Sequence, residues 1–413
     1  MSGPIPQEAA ALAGALGALY ARAPRGMRLG VEAMAEACAR FGNPERGLRV
    51  VHVAGTNGKG SVSAMLESVA RRAGLRTGLY TSPHLSRFAE RIRIGGVPID
   101  DAALVPILSD VLAREPELSF FEAATLAAFL AFRTANADLV VLEVGLGGRL
   151  DATNVVESPL ACAVTRIAFD HMDKLGDTLE AIAAEKAAIA KPGVPLYYGL
   201  LAPSVAATVE RVARARGAHV HAVADDAEAA AFASTAELSL AGKHQRENAR
   251  IAYAVARALG FDASVVAHGI SEARWPGRLE RVVAGGGPVL FDAAHNPDGA
   301  MALAAALAKE DPARTALVFG ALGDKDWGPM LDVLAPRARV RAYAAPKGRA
   351  ATPPETLAAR HAGATFTHGL DAVRHARAAV GADGLVVVCG SISLVGEVRA
   401  AMLGEPADPP VAL

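Results

Sequence analysis

The sequence predicts an α/β protein with two domains, each built around a mostly parallel β-sheet. Its 413 residues exceed what one hydrophobic core usually serves. Short runs rich in β-branched residues alternate with longer Ala/Leu-rich segments of helical period, as in parallel sheets covered by helices on both faces. A Pro/Gly-rich stretch interrupts this alternation, which then restarts.

The first series of predicted strands precedes the Pro/Gly-rich stretch. These strands are residues 49–53, 77–80, 139–144, 160–165 and 194–198. Residues 225–240 show no clear long period, so we predict irregular structure or a small antiparallel excursion there. Helical periodicity resumes over residues 245–259.

The predicted domain boundary follows two breaks in the helical pattern, at residues 274–278 and 284–288, which are rich in Pro and Gly. We place the N-terminal domain at residues 1–280, a linker at 281–287 and a second, smaller α/β domain at 288–413. The strands predicted for the second domain are residues 289–293, 316–319, 340–344 and 385–389.

The composition is that of an ordinary globular protein. A formal net charge of -1 excludes the strongly basic surface that nucleic acid or an anionic membrane attracts. No apolar run reaches membrane-spanning length, and the N-terminus lacks a signal-peptide pattern. Cys38, Cys162 and Cys389 are far apart and flanked by apolar residues, which predicts buried, reduced thiols. We expect a cytoplasmic monomer whose partners are small molecules, with no nucleic acid and no membrane among them.

The most informative segment is a glycine-rich turn at residues 55–61, between an apolar strand and a helix. Its glycines let backbone N–H groups turn toward a polyphosphate, while the helix N-terminus and Lys59 supply positive charge. The turn departs from the general G-x-x-x-x-G-K-[ST] pattern, because Val53 replaces the first glycine and the hydroxyl of Ser61 comes one residue late. An ordinary strand-to-helix loop is the alternative to a phosphate cradle. The cradle would consist of Asn57, Gly58, Lys59, Gly60 and Ser61.

A phosphate cradle requires a metal ion, whose hard oxygen ligands should follow neighbouring strands. Glu143 ends the apolar run 139–142, and a buried carboxylate is costly unless it meets a cation. Ser82 follows the second predicted strand, and His171 follows the strand at 160–165. The alternatives are a simple turn for Ser82 and a hydrogen-bonded structural role for His171. Lys186, taken alone, is typical of a solvated surface lysine.

Six motifs that occur in order resemble the folylpolyglutamate synthase and dihydrofolate synthase family of the Mur-ligase superfamily. The resemblance covers residues 30–398, nearly the whole chain. The motifs are residues 55–61, 81–85, 88–92, 142–154, 185–187 and 292–297.

The resemblance implies a fold and a reaction. The fold is an N-terminal P-loop ATPase-type domain with a mostly parallel sheet, followed by a smaller C-terminal Rossmann-like α/β domain. Members of this family phosphorylate a pteroate or folate carboxylate with ATP, and the amino group of glutamate then displaces the phosphate. The resemblance therefore implies ATP as co-substrate, Mg²⁺ as cofactor, and dihydropteroate or folates and L-glutamate as further substrates.

The resemblance also implies roles for single residues. Ser82, Glu143 and His171 match the Mg²⁺ ligands of the family, and Lys186 matches a lysine that members carry as a carbamate. Arg278 matches the arginine that reaches the phosphates from the linker. The residues with an implied catalytic role are Lys59, His171, Lys186 and Arg278. Those implied to bind ATP, besides the cradle and Arg278, are Asn248, Asp292 and His295.

The pterin-bearing substrate is expected in the first domain. Aromatic Phe121 could stack on a flat ring, and Glu122 or Asp151 could accept hydrogen bonds from pterin N–H groups. Phe121 is otherwise typical of an ordinary core residue. The residues that match the substrate contacts of the family are Leu29, Gly30, Phe121, Glu122, Leu150, Asp151 and Ala152.

Some positions depart from the family pattern. Arg166 stands where relatives commonly have Asn, close to the predicted metal ligand His171, and Ala188 replaces a common Gly after residues 185–187. The function predicted is ligation of L-glutamate to dihydropteroate, to reduced folates or to both. A monofunctional member, another Mur-type amino-acid ligase and a non-catalytic nucleotide-binding module are the alternatives. A GTP-binding switch is disfavoured because no Asn-Lys-x-Asp segment is present.

Overall fold

The computed structural model describes residues 6–23, 30–347 and 350–408. Within these ranges the strands form one sheet of eight and one of six. Both sheets are parallel except at one edge, which confirms the predicted fold class of two α/β domains. The predicted second domain is the smaller of the two.

The larger sheet has the strand order β4-β3-β2-β5-β1-β6-β7-β8. Strand β1 lies between β5 and β6 and pairs parallel with both, and each of its five residues is buried. In this sheet only the β2–β3 and β3–β4 pairs are antiparallel. The strands are β1 Val50–Ala54, β2 Thr77–Tyr80, β3 Ile92–Ile94, β4 Val97–Pro98, β5 Leu139–Glu143, β6 Ala161–Val164, β7 Pro195–Tyr198 and β8 His219–Ala222.

Helices cover both faces of this sheet. The helices are α1 Pro6–Tyr20, α2 Glu32–Arg40, α3 Lys59–Arg72, α4 Asp101–Arg114, α5 Phe120–Thr134, α6 Met172–Leu175, α7 Leu179–Ala187, α8 Pro203–Ala215, α9 Ala227–Thr235, α10 Lys243–Ala258 and α11 Ala263–Glu272. One core lies between β1 and the α3, α10 and α11 layer. Helices α1, α2, α4 and α5 enclose a second core on the opposite face.

The smaller sheet has the order β13-β12-β11-β14-β10-β9. Its strands are β9 Glu280–Ala284, β10 Gly287–Phe291, β11 Thr315–Phe319, β12 Val340–Ala344, β13 Ala364–Phe366 and β14 Leu385–Cys389. Its helices are α12 Pro297–Leu307, α13 Trp327–Leu334, α14 Pro354–Arg360, α15 Gly369–Val380 and α16 Ile392–Leu403. Apolar residues of β10, β11 and β14 form cores on both faces of this sheet.

Two predictions about local structure were wrong. Residues 281–287, predicted as a linker, instead form β9 and the turn into β10. Gly285 and Gly286 both have positive φ, at 58° and 81°, which suits a tight hairpin turn. Residues 225–240, predicted as irregular, contain α9, whose N-cap Asp226 accepts a 2.8 Å hydrogen bond from the backbone N–H of Ala229. The chain therefore passes between the sheets at residues 273–279, earlier than predicted.

Two further observations concern predictions from composition. Cys38, Cys162 and Cys389 are free and buried, which confirms the predicted core thiols. Over the three described ranges, no helix is long and apolar enough to cross a membrane.

Candidate active site

The glycine-rich turn lies at the carboxyl end of β1, in the middle of the larger sheet. Gly58 precedes α3 with φ at 93°, and no side chain caps this end of the helix. The first N–H groups of α3 are thus open to an anion, which the partial positive charge of the helix N-terminus also attracts. The turn therefore has the local geometry of a phosphate cradle.

Side chains of α10 hold the cradle from one side. A Cβ at Gly58 would lie 2.3 Å from the Asn248 side-chain oxygen, so only glycine fits there. The Asn248 amide donates a 2.9 Å hydrogen bond to Gln245, whose own amide donates to the Ser61 hydroxyl at 3.2 Å. Trp275 packs against another side of the cradle, since a Cβ at Gly60 would lie 2.7 Å from its indole nitrogen. The structure thus places Asn248 directly against the turn.

Glu143, at the end of β5, lies beside the cradle. One carboxylate oxygen is 3.9 Å from the Lys59 Nζ, and the other accepts a 3.3 Å hydrogen bond from the backbone N–H of Ser82. Burial raises the pKa of the Glu143 carboxyl, while the charge of Lys59 lowers it. Lys59 also donates a 3.1 Å hydrogen bond to the carbonyl of Thr56. A buried carboxylate with so few donors around it is suited to a bound cation.

Lys186 lies on α7, with only 4% of its surface exposed. Burial, together with repulsion from Lys59, lowers its pKa to about 7. A substantial fraction of its amine is therefore neutral near neutral pH. The solvated lysine that the sequence alone suggests is excluded by this burial.

Asp170 is the centre of a polar cluster between the domains. Its carboxylate accepts a 2.8 Å hydrogen bond from Lys325 and a 3.1 Å hydrogen bond from the Asn296 amide. The rings of His171 and His295 each lie 3.7 Å from it. Burial lowers the pKa of both imidazoles, that of His295 to about 4. Both rings are therefore neutral at pH 7, the form in which histidine ligates metals or accepts hydrogen bonds.

Arg278 and Asp292 lie where the chain enters the smaller sheet. The Asp292 carboxylate accepts hydrogen bonds from the backbone N–H groups of Leu279 at 2.9 Å and Ala294 at 3.0 Å. This contact fixes the backbone directly after Arg278. Burial raises the pKa of the Asp292 carboxyl, and the charge of Arg278 opposes this rise.

One cleft of about 1110 Å³ brings most of the predicted site residues together. It is lined by residues of both domains, including every residue predicted to be catalytic, to bind ATP or to ligate a metal. These are Asn57, Gly58, Lys59, Gly60, Ser61, Ser82, Glu143, His171, Lys186, Asn248, Arg278, Asp292 and His295.

Of the predicted pteroate residues that the structure describes, none lines this cleft. Phe121 is half-buried, and its ring would meet a Cβ at Gly145 at 2.4 Å, so it covers the loop that follows Glu143. Gly30 is half-buried, whereas Leu29 lies outside the described residues. Leu150 is half-buried and Ala152 is buried.

Two predicted pterin acceptors make local hydrogen bonds. Glu122 forms a capping box with Ser119, whose backbone N–H donates to its carboxylate at 2.8 Å. Asp151 accepts hydrogen bonds from the N–H groups of Gly145 at 3.0 Å and Leu146 at 2.9 Å. The second oxygen of Glu122 is buried and has no hydrogen-bond partner. Of Glu122 and Asp151, only Glu122 therefore has a carboxylate oxygen without a hydrogen-bond partner.

Several polar residues of the cleft region were missed from the sequence. They are Gln245, Asn296, Asp298 and Lys325. The signal was weak, because each lies on an element whose approach to the cradle depends on the tertiary fold. Asn296 alone belongs to one of the six motifs.

Comparisons with known proteins identify the family of this chain. Residues 53–256 match the family described as the Mur ligase middle domain, and residues 277–392 match the Mur ligase glutamate ligase domain. The chain is 36% identical over 411 residues to the dihydrofolate synthase/folylpolyglutamate synthase of Escherichia coli, covering 95% of this chain and 96% of that protein. The chain belongs to the folylpolyglutamate synthase/dihydrofolate synthase family, within the Mur ligase superfamily.

Solved structures of this family share the fold. The Escherichia coli FolC structure in complex with DHPP and ADP has a TM-score of 0.82 and 33% identity, covering 92% of this chain and 94% of that one. A bifunctional folylpolyglutamate synthase/dihydrofolate synthase structure with Mn, AMPPNP and L-glutamate bound has a TM-score of 0.79 and 31% identity, covering 92% of this chain and 95% of that one.

Some relatives are much longer than this chain. The chain is 39% identical to the probable bifunctional folylpolyglutamate synthase/dihydropteroate synthase of Halobacterium salinarum, covering 91% of this chain but 49% of that protein. It covers 48% of the like-named protein of Haloferax volcanii. The chain thus spans about half the length of these two relatives.

Proposed function

We propose that this member of the family is an ATP-dependent ligase that joins L-glutamate to the carboxylate of dihydropteroate, of reduced folates or of both. The observation that carries the proposal is the single cleft in which the cradle, Glu143, Lys186 and Arg278 converge from two domains. The names of the relatives and the ligands in the related structures support the same reaction.

In the proposed reaction, the cradle N–H groups and Lys59 hold the β- and γ-phosphates of ATP. A carboxylate oxygen of the folate-type substrate attacks the γ-phosphorus, and ADP leaves. The deprotonated amino group of glutamate then attacks the carbonyl carbon of the acyl phosphate, and phosphate leaves with the former carboxylate oxygen. Arg278 stabilises the negative charge that develops on the transferred phosphoryl group.

Ser82, Glu143 and His171 fit a divalent cation, which we propose is Mg²⁺. All three line the cleft, Glu143 is a buried carboxylate, and His171 is held neutral by burial. The described residues hold no group of three or more His, Cys, Asp and Glu side chains suited to a metal. A hydroxyl, one carboxylate and one imidazole leave the remaining positions to phosphate oxygens and water. When bound, Mg²⁺ would neutralise charge on the phosphates.

We also propose that Lys186 is carbamylated. A buried amine with a pKa of about 7 is neutral often enough to react with CO₂. The product is an anion, which Lys59 and a nearby cation would stabilise rather than repel. Intact-mass measurement at controlled bicarbonate concentration, paired with activity, tests this. Full activity with an unmodified lysine would refute it.

Phe121, Glu122 and Asp151 remain the predicted contacts of the pterin, together with Gly30, Leu150 and Ala152. The free carboxylate oxygen of Glu122 supports this assignment for one of them. The cytoplasmic location, the monomeric state and the role of Leu29 also remain predictions.

The test uses the purified full chain with ATP, Mg²⁺ and L-glutamate, and supplies dihydropteroate and tetrahydrofolate in separate reactions. We expect phosphate release that requires both glutamate and a folate-type substrate, with the glutamylated product identified by mass. Product from one substrate alone indicates a monofunctional member, and product from both indicates dual activity. ATP binding without turnover on either substrate would instead favour a non-catalytic nucleotide-binding module.

A further inference from the structure

An ion pair spans the two domains beside the cradle. The Arg166 guanidinium donates from Nε to both carboxylate oxygens of Asp298, at 2.8 and 2.9 Å, and its Nη2 lies 2.8 Å from Oδ1. Asp298 also accepts a 2.7 Å hydrogen bond from the Asn57 amide. Arg166 lies in the larger domain and Asp298 in the smaller one, so the pair joins the domains directly.

Each partner of the ion pair is fixed to one side of the cleft, Arg166 to the cradle and Asp298 to α12. The carbonyl of Arg166 accepts a 2.8 Å hydrogen bond from the N–H of Thr56, so Arg166 moves with the cradle. Asp298 lies in the first turn of α12. The N-cap of that helix, Asn296, exchanges 3.1 Å side-chain hydrogen bonds with Asn57 in both directions. A change in the ion pair should therefore change the width of the cleft.

The exposure of the ion pair limits how much it can stabilise the fold. The side chain of Arg166 is 46% exposed and that of Asp298 is 14% exposed. An ion pair this close to solvent contributes little to the stability of a fold. Because its partners lie on different domains, however, its free energy acts on the equilibrium between an open and a closed cleft.

We propose that Arg166 and Asp298 form an electrostatic latch that holds the two domains closed over the nucleotide. This proposal rests on the proposed function. Arg166 acts here as a positioning residue, since its partners are Asp298, the more distant Glu247 at 3.9 Å and the cradle backbone. ATP must enter and ADP must leave through the cleft, so the latch opens and closes in each cycle. Salt weakens it, because screening acts on exposed charges.

The test is a double-mutant cycle with Arg166→Gln, Asp298→Asn and the double variant. Each single variant removes one charge and keeps a polar side chain of similar size. We expect each to raise the KM for ATP about two- to fivefold, as expected for loss of one partly exposed ion pair. We expect kcat to change less than twofold and the midpoint of thermal unfolding to stay the same. The double variant should resemble the worse single variant, because both changes remove the same interaction.

The matched control is Arg360→Gln. Arg360 and Asp332 form an equally bidentate pair, at 2.8 and 2.6 Å, with a similarly exposed arginine, but both residues lie within the smaller domain. This variant should leave the KM for ATP unchanged. Raising the salt concentration should increase the KM of the wild type and of Arg360→Gln more steeply than that of Arg166→Gln.

A second measurement does not depend on turnover. Small-angle scattering of the full chain should give a larger radius of gyration for Arg166→Gln than for the wild type, and ADP should bind the variant more weakly. These readouts separate failure of the latch from failure of the proposed function, since neither needs a folate substrate. Unchanged radius and unchanged ADP affinity in Arg166→Gln would overturn the latch, as would additive effects in the double variant.

Discussion

Among the described residues, two contacts between the domains differ in chemistry. At the cradle the contact is polar and consists of side-chain pairs: Asn57 with Asn296, Arg166 with Asp298, and Lys325 with Asp170. At the second contact, backbone packs on backbone. A Cβ at Gly396 of α16 would lie 2.0 Å from the carbonyl oxygen of Leu85. The Ser86 hydroxyl donates a 2.9 Å hydrogen bond to the carbonyl of Gly396.

The chain beyond α16 strengthens the second contact. The carboxylate of Asp408 accepts a 2.6 Å hydrogen bond from the backbone N–H of Phe88. The backbone N–H of Asp408 donates a 3.3 Å hydrogen bond to the carbonyl of Ser86. Residues 85–88 are thus held between α16 and the segment that follows it.

The difference indicates where the molecule can open. Water can replace the partners of polar side chains at little cost, whereas parting two closely packed backbones leaves a void or strained atoms. We therefore expect the domains to separate at the cradle and to pivot at residues 85–88. Substitutions at the polar contact should then change kinetics, and those at the packed contact should change stability.

The largest expected effect is that of Lys59→Ala, in the cradle beside the polar contact. Removal of the charge that holds the terminal phosphates should lower kcat by about 10³-fold, while the midpoint of thermal unfolding should change little because Lys59 lines the cleft and belongs to no hydrophobic core. Glutamate-dependent phosphate release and a thermal melt are the measurements. Undiminished turnover would refute the assignment of the cradle.

The next largest effect is expected from Gly396→Val, at the packed contact. The branched side chain cannot fit against Leu85, so α16 must shift, at a cost of about 1–3 kcal/mol in unfolding free energy. Urea denaturation measures this loss.

Gly14→Ala is the control, because nothing lies within 4 Å of a Cβ at that helical position. It should be neutral or stabilising by up to about 1 kcal/mol. If Gly396→Val were as stable as the wild type, the contact would not be packed as described.

An effect no larger than that of the valine variant, and opposite in sign, is expected from Asp408→Asn. Burial raises the pKa of this carboxyl from 3.8 to about 6, opposed by its hydrogen bond from Phe88 and by Arg87, and raised further by Asp101 and Glu90. Because the folded protein holds this proton more tightly than the unfolded chain, Asp408 costs stability as the pH rises from about 4 to 6. The asparagine variant has no such proton to lose. The difference in unfolding free energy between the variant and the wild type should therefore grow across that range, to at most about 3 kcal/mol, and then stay constant.

Urea denaturation of both proteins at pH 4, 5, 6 and 7 measures the difference. A constant difference across this range would show that Asp408 titrates normally, and that the segment after α16 is not buried against residues 85–88.

The sequence predicted the central features of the fold because their signals are local. The apolar runs of β1 and β5 and the glycines before α3 identify strands and a turn without tertiary information. The hairpin at residues 281–287 was missed because Gly-rich residues mark linkers and tight turns equally. Helix α9 was missed because its alanine-rich sequence has no apolar period.

The cleft was predicted more fully than the contacts across it. Arg166 was noticed as a departure from relatives, but its partner lies 132 residues further along the chain, and no local pattern reveals such a pair. Lys325 reaches Asp170 over an even longer separation. At Glu122 the sequence is ambiguous for a different reason. The residue that suggested a ligand contact also completes the capping box of α5.

The most direct test of the proposed reaction is isotopic. Dihydropteroate or tetrahydrofolate, labelled with ¹⁸O in its reacting carboxylate, is turned over with ATP and L-glutamate, and the released phosphate is analysed by mass. An acyl-phosphate route through this cleft transfers one ¹⁸O atom to each phosphate formed from fully labelled substrate. Phosphate free of ¹⁸O, released together with glutamylated product, would contradict the account.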